Sequence, residues 1–133
     1  NFNIESITVG TTEQHDISRM TIAIQSDSRT TDQLVKQLRK LIDIIEVRIL
    51  NTENTVFREL ALIKMKARDP TSRMEITHFA NIFRAKILDV SKDSMMVEIT
   101  GTPDKIDAFK SIVDTYGIIQ IARTGISALP RGV

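Results

Sequence analysis

The sequence predicts an α+β fold made of two copies of one unit, strand–helix–strand–strand–helix–strand, in tandem. The first copy lacks its N-terminal strand and helix. Three observations carry this prediction. Apolar residues switch repeatedly between the two-residue period of a strand and the 3.6-residue period of a helix. The switches follow the same order in both halves of the chain. A polar stretch without apolar residues, Asn51-Thr52-Glu53-Asn54-Thr55, lies between the halves. Residues 1–52 are therefore read as a partial domain, 53–55 as a linker and 56–133 as a complete unit. A chain of 133 residues suits one domain or two very small ones.

In the first half, the stretch from Asn3 to Gly10 reads as a strand. Met20, Ile22 and Ile24 alternate with Arg19, Thr21 and Ala23, giving a second strand. Asp27-Ser28-Arg29-Thr30 is a turn rich in helix-capping residues. Leu34, Val35, Leu38, Leu41 and Ile42 then recur at helical spacing, with Lys36, Gln37, Arg39 and Lys40 on the other face. Ile45, Val47 and Ile49 return to strand alternation. This half has too little core to stand alone, and it leaves a helix-binding face and a strand edge open, a liability unless a partner covers them.

In the second half, Ala61, Ile63, Met65 and Ala67 form one face of a strand. Asp69-Pro70-Thr71 ends it and opens a helix on which Ile76, Phe79, Ala80 and Phe83 share a face. Ala85 to Val90 and Met95 to Gly101 are two strands joined by Ser91-Lys92-Asp93-Ser94. Thr102-Pro103-Asp104 is a helix start: a capping hydroxyl, Pro at the first helical position, then an acid at the positive end of the dipole. Ile106, Phe109, Ile112, Val113 and Tyr116 make the buried stripe of that helix, and Gly117 suits a left-handed cap. Ile118 to Ile121 begins the last strand, and Ala128 to Val133 reads as a frayed terminus. This is the ferredoxin-like order.

Composition excludes several functions. A net charge of +1, with Lys and Arg interleaved among Asp and Glu, gives no footprint for nucleic acid. Without Trp and with few aromatics, a base-stacking platform is not expected. The absence of Cys removes disulfides, thiolate metal sites and Cys nucleophiles, and fits a reducing, cytoplasmic setting. No apolar run approaches the ~20 residues of a membrane span. The two histidines, His15 and His78, stand apart from each other and from any HExxH pattern, so they read as surface or boundary residues. They support no Ser-His-Asp triad. With five glycines and no GxGxxG or Walker motif, no phosphate cradle is present. No catalytic or metal-ligating residue is assigned.

The segments Phe2-Asn3-Ile4-Glu5-Ser6-Ile7-Thr8-Val9-Gly10 and Ser18-Arg19-Met20-Thr21-Ile22 resemble the ACT domain of the regulatory (small) subunits of acetohydroxyacid synthase, also called acetolactate synthase. Arg58 to Lys64, Ile82 to Val90 and Ile121 to Gly125 resemble later segments of the same family, in the same order. The resemblance covers essentially the whole chain. It implies tandem ACT-type, ferredoxin-like domains. It also implies that a strand, a Gly-containing loop and a helix, which in the family precede the Asn-Ile segment, are absent ahead of Asn1. Because that loop carries much of the family's effector site, the chain by itself is expected to bind effector poorly.

The function implied is a non-catalytic, cytoplasmic regulatory subunit in valine, leucine and isoleucine biosynthesis. It would activate the catalytic large subunit and confer feedback inhibition by valine or another branched-chain amino acid. Thiamine diphosphate, Mg and FAD would belong to the catalytic partner only. A homodimer is implied, because the family's effector pocket lies between two ACT domains. By the same resemblance, Asn3 and Ile4 line that pocket, with Thr8 and Gly10 as further candidates on the strand. An amino acid needs amides to grip its charged head and an apolar wall for its side chain. From the residues alone, Asn3 reads equally well as a cap of the strand. Arg58-Glu59 and Arg123-Thr124-Gly125 read either as a solvated strand end and a turn, or as part of a docking face. The alternatives are an ACT-type sensor acting on a different enzyme or a transcription factor and, behind it, a free-standing enzyme.

Overall fold

The computed structural model describes residues 3–133; Asn1 and Phe2, at the head of the first recognised segment, lie outside the described residues. The chain forms two compact units. One holds the chain up to Val56 together with Ser127–Val133, and the other is Phe57–Ile126.

In the first unit, β1 (Asn3–Thr11) and β2 (Ser18–Gln25) form an antiparallel two-stranded sheet. Helix α1 (Ser28–Arg39) follows, capped by Asp27, whose carboxylate accepts the Thr30 N–H at 2.7 Å. Val35 is its buried residue. The helix stops before Leu41 and Ile42, which were expected on its apolar stripe. They are 55% and 99% exposed.

The strand expected at Ile45, Val47 and Ile49 does not form. The reason lies in the topology of the second unit, where the fourth strand pairs only with the first. Among the described residues of the first unit nothing fills the first strand's place, so residues 45–49 have no ladder to join. Local contacts serve instead: Arg39 Nη2 donates to the Val47 carbonyl at 3.0 Å, and Arg48 pairs with Glu46 at 2.6 Å.

The second unit has the full expected order. Its elements are β3 (Thr55–Lys66), α2 (Pro70–Ile82), β4 (Lys86–Val90), β5 (Ser94–Gly101), α3 (Pro103–Val113) and β6 (Ile118–Arg123). The strands lie in the order β4-β5-β3-β6, all neighbours antiparallel. Cross-strand partners share a face. Ala61, Ile63 and Met65 therefore stand with Ile99, Val97 and Met95 on the inner face, all buried. Against them pack Ile76 and Ala80 of α2 and Ile106, Phe109 and Val113 of α3. Phe83 meets Phe109 edge-on, with ring centroids 5.3 Å apart. Both helix starts are built as the sequence predicts. Asp69 accepts the Ser72 N–H at 2.7 Å ahead of Pro70, and Thr102 accepts the Lys105 N–H at 3.4 Å ahead of Pro103.

Other details depart from the sequence reading. Gly117 takes a positive φ of 98°, but with ψ at 107° it lies outside the left-handed helical region and ends a short 3₁₀ turn, Asp114–Tyr116. The residue in the left-handed region at a helix end is Arg84, φ 56°. The Ala85 N–H reaches back to the Ala80 carbonyl at 2.8 Å, a closing turn that usually takes glycine. The terminus is not frayed: Ser127–Pro130 forms β7, paired with β3, whose first residues Thr55 and Val56 belong to the same unit. Ala128 is buried, and the Arg131 N–H donates to the Asn54 carbonyl at 2.7 Å.

Candidate functional site

The four residues put forward from sequence, Asn3, Ile4, Thr8 and Gly10, all lie on β1. Their β-branched neighbours, Ile7 and Val9, favour an extended chain. The hairpin is closed by Thr12, whose hydroxyl donates to the Ile17 carbonyl at 2.8 Å and accepts the Gln14 N–H at 3.1 Å.

The register decides which side chains meet. Asn3 faces Gln25 and Ile4 faces Ile24, but then Ser6 faces Ala23, with a bulge at Glu5. Thr8 faces Thr21 and Gly10 faces Arg19. The extra residue shifts the phase of the strand by one. Asn3, Ser6, Thr8 and Gly10 consequently share one face with Gln25, Ala23, Thr21 and Arg19. Ile4 lies on the other face, with Ile7, Val9, Met20, Ile22 and Ile24. That second face is apolar and only partly covered: Ile4, Ile7, Val9 and Met20 are each about half exposed. The first face is polar or small throughout.

Distance adds a second constraint. At ~3.3 Å per residue, Asn3 and Gly10 stand roughly 20 Å apart, whereas Thr8 and Gly10 are about 7 Å apart. A single amino acid on this face reaches one end of the strand and not both. Gly10 is open. A Cβ placed on it would meet nothing within 4 Å, and its backbone needs no positive φ.

The second unit holds a polar cluster that joins two of the recognised segments. Glu59, on the inner face of β3, is 7% exposed. Its Oε1 accepts from Arg123 Nη2 at 2.6 Å and Nε at 3.2 Å, and its Oε2 accepts the Gly125 N–H at 3.2 Å. Arg123 Nη1 donates to Asp107 on α3 at 2.6 Å. The hydrogen bond to Glu59 is the main reason the Arg123 guanidinium holds its proton more tightly than usual. The Leu60 N–H donates to the Thr124 hydroxyl, which in turn donates to the Gly125 carbonyl. Glu59 and Arg123-Thr124-Gly125 thus form an internal latch of β3, β6 and α3, not a solvated strand end. Arg58 points outward and donates to the Phe57 carbonyl at 2.8 Å. The signal was available: Glu59 is in phase with Ala61, Ile63 and Met65, so the alternation placed a carboxylate on the buried face.

His15 is exposed in the hairpin loop, and His78 is exposed on α2 with its ring 6.0 Å from Phe79. Among the described residues no three His, Asp or Glu side chains converge as a metal site would need. No helix among them is long and apolar enough to cross a membrane.

Comparison with known proteins follows this division. Residues 1–46 match a family model described as an AHAS small subunit-like ACT domain, and residues 58–132 match one described as the small subunit of acetolactate synthase. The chain belongs to the acetolactate synthase small-subunit family. A probable acetolactate synthase small subunit of Archaeoglobus fulgidus is 52% identical over 131 residues, 98% of this chain and 81% of that one. The acetolactate synthase small subunit of Mycolicibacterium smegmatis is 47% identical over 98% of this chain and 76% of its own length. The crystal structure of the small subunit from Thermotoga maritima superposes with a TM-score of 0.89 at 40% identity, covering 99% of this chain and 82% of that one. Membership in this small-subunit family brings with it the tandem ACT-type, ferredoxin-like architecture.

Proposed function

We propose that this chain is the regulatory subunit of acetolactate synthase. It carries no catalytic site of its own. It binds the thiamine-diphosphate-dependent catalytic subunit, raises its activity and makes it sensitive to valine or a related branched-chain amino acid. The observation that supports this most is the family match in both units, 52% identity to one small subunit among them. The residues assigned to the effector are Asn3, Ile4, Thr8 and Gly10, within a domain division of 1–52 and 56–133. Two copies pair so that effector binds between ACT domains. Binding favours one arrangement of the pair, and that arrangement favours one state of the catalytic subunit.

Size-exclusion chromatography of the full-length natural chain with its catalytic subunit tests the assignment. A co-eluting complex, with a regulatory dimer when the chain runs alone, is expected. A monomer that elutes apart from the catalytic subunit at micromolar concentration contradicts it.

A further inference from the structure

Among the described residues, Glu59 is the one buried charged side chain. The chain passes between the two units close to it, twice. It leaves the first unit after Val56, shortly before Glu59, and returns at Ser127, shortly after Gly125. One oxygen of the Glu59 carboxylate accepts from Arg123, and the other accepts the Gly125 N–H. The segment that follows is β7, which pairs with β3 and belongs to the first unit. A buried ion pair is weak evidence for stability, and its best-attested use is to specify a register.

The register of β7 is not the one its side chains favour. Ala128 is buried, whereas the larger Leu129 is 55% exposed. A slip of one residue would exchange the two. One extra residue sets the phase. The Thr124 N–H donates to the Leu60 carbonyl, and the Arg131 N–H donates to the Asn54 carbonyl. From 124 to 131 the chain advances seven residues, while the opposing chain goes back six, from 60 to 54. Gly125, with φ at 86°, takes up the excess, as a bulge glycine in the left-handed region does. Along β6, Ile121 and Arg123 stand opposite Ile63 and Ala61. Continued without the extra residue, that odd-numbered phase would bury Leu129; with it, Ala128 takes the place.

We propose that Glu59 is a register pin for the closing strand. By holding the Gly125 N–H and Arg123, it keeps β7 in the phase that buries Ala128. Without it, β7 slips by one residue and buries Leu129. Two registers of one short strand are two discrete arrangements, the kind of element through which a bound effector acts. β7 and β1 lie in the same unit. The pin therefore governs how strongly effector binding is felt, a step that rests on the regulatory reading above. Glu59 acts as a positioning residue.

The test uses the full-length natural chain. This sequence has no cysteine, so Ala128→Cys and Leu129→Cys report exposure through their rates of thiol alkylation, read peptide by peptide by mass spectrometry. Each is placed in the parent, in Arg123→Leu and in Glu59→Gln, whose amide offers one acceptor oxygen and so loses one of the two partners. The parent is expected to react about tenfold faster at position 129 than at 128. In the pin variants that ratio is expected to fall to about one or to invert. Ile106→Val, which weakens the same unit but leaves the pin, is expected to keep the parent ratio. Circular dichroism checks folding; if Arg123→Leu is unfolded, Glu59→Gln decides. An unchanged ratio in a folded pin variant would overturn the inference, and so would a rise in both rates with the ratio kept, which is fraying and not a slip. Acetolactate formation by the assembled enzyme tests the second step: the pin variants are expected to keep stimulation but to lose about half or more of the parent's inhibition by L-valine. Full inhibition in a variant with a shifted ratio would overturn that step. A parent enzyme indifferent to valine would overturn it by removing the regulatory reading, whereas the alkylation ratio would still decide the pin.

Discussion

At the scale of single residues, Gly10 and Glu59 do different work. Gly10 sits where a side chain would project into open space. Gly10→Val should leave stability within about 0.5 kcal/mol of the parent, since a β-branched residue suits a strand and meets nothing. It should raise the valine concentration for half-inhibition at least tenfold in an assay of the assembled enzyme. Equal inhibition of parent and variant would separate Gly10 from the effector. Glu59 carries the latch. Arg123→Ala would take its charged partner from a buried carboxylate that the Gly125 N–H also serves. Glu59→Gln would leave Arg123 with Asp107 and a neutral acceptor. Arg123→Ala is therefore expected to cost more, about 2–3 kcal/mol against about 1 for Glu59→Gln, in urea denaturation. Residues like Glu59 are legible in part. The alternation gave its buried phase, but its partner lies across the sheet, at a sequence distance no local pattern spans.

At the scale of elements, the helices of the second unit were the most legible parts. Their caps are local chemistry: Asp69 then Pro70, and Thr102 then Pro103. Thr102→Ala should lower stability by about 1 kcal/mol in thermal unfolding. The aspartate caps carry a pH signature. The Ser72 amide holds the Asp69 carboxyl below its ordinary value of 3.8, and the Thr30 amide does the same for Asp27. A lowered pKa means that stability is present above the ordinary value and is lost as pH falls through the folded value. Helicity followed by circular dichroism should therefore drop below pH 3.8. Asp69→Asn, which caps without a charge, should flatten part of that drop; an unchanged acid profile would contradict the cap's role. Strands were less legible, because a strand needs a neighbour and alternation alone does not supply one. Residues 45–49 alternate yet stay unpaired, whereas Ser127–Pro130, read as a frayed end, pairs with β3. The bulge at Glu5 was written in the sequence as a break of phase: Ile4 is even, whereas Ile7 and Val9 are odd.

At the scale of the molecule, the two units differ in how much they bury. The second holds eleven side chains at 0–2% exposure, from Ala61 to Val113, together with Ala67 at 1%. The first has Val35 at 8% as the buried residue of its helix, and its hairpin is half exposed. Native-state hydrogen exchange should accordingly show the slowest amides in β3 and β5, around Ile63 and Val97, and faster exchange throughout β1 and β2. A two-stranded sheet with one helix has little core of its own. Regulation of a catalytic partner is tested most directly by acetolactate formation by the cognate catalytic subunit as the full-length natural chain is titrated in, without and with L-valine. Saturable stimulation that valine reverses is predicted. A catalytic rate unaffected by a stoichiometric excess of the chain, with or without valine, would contradict it.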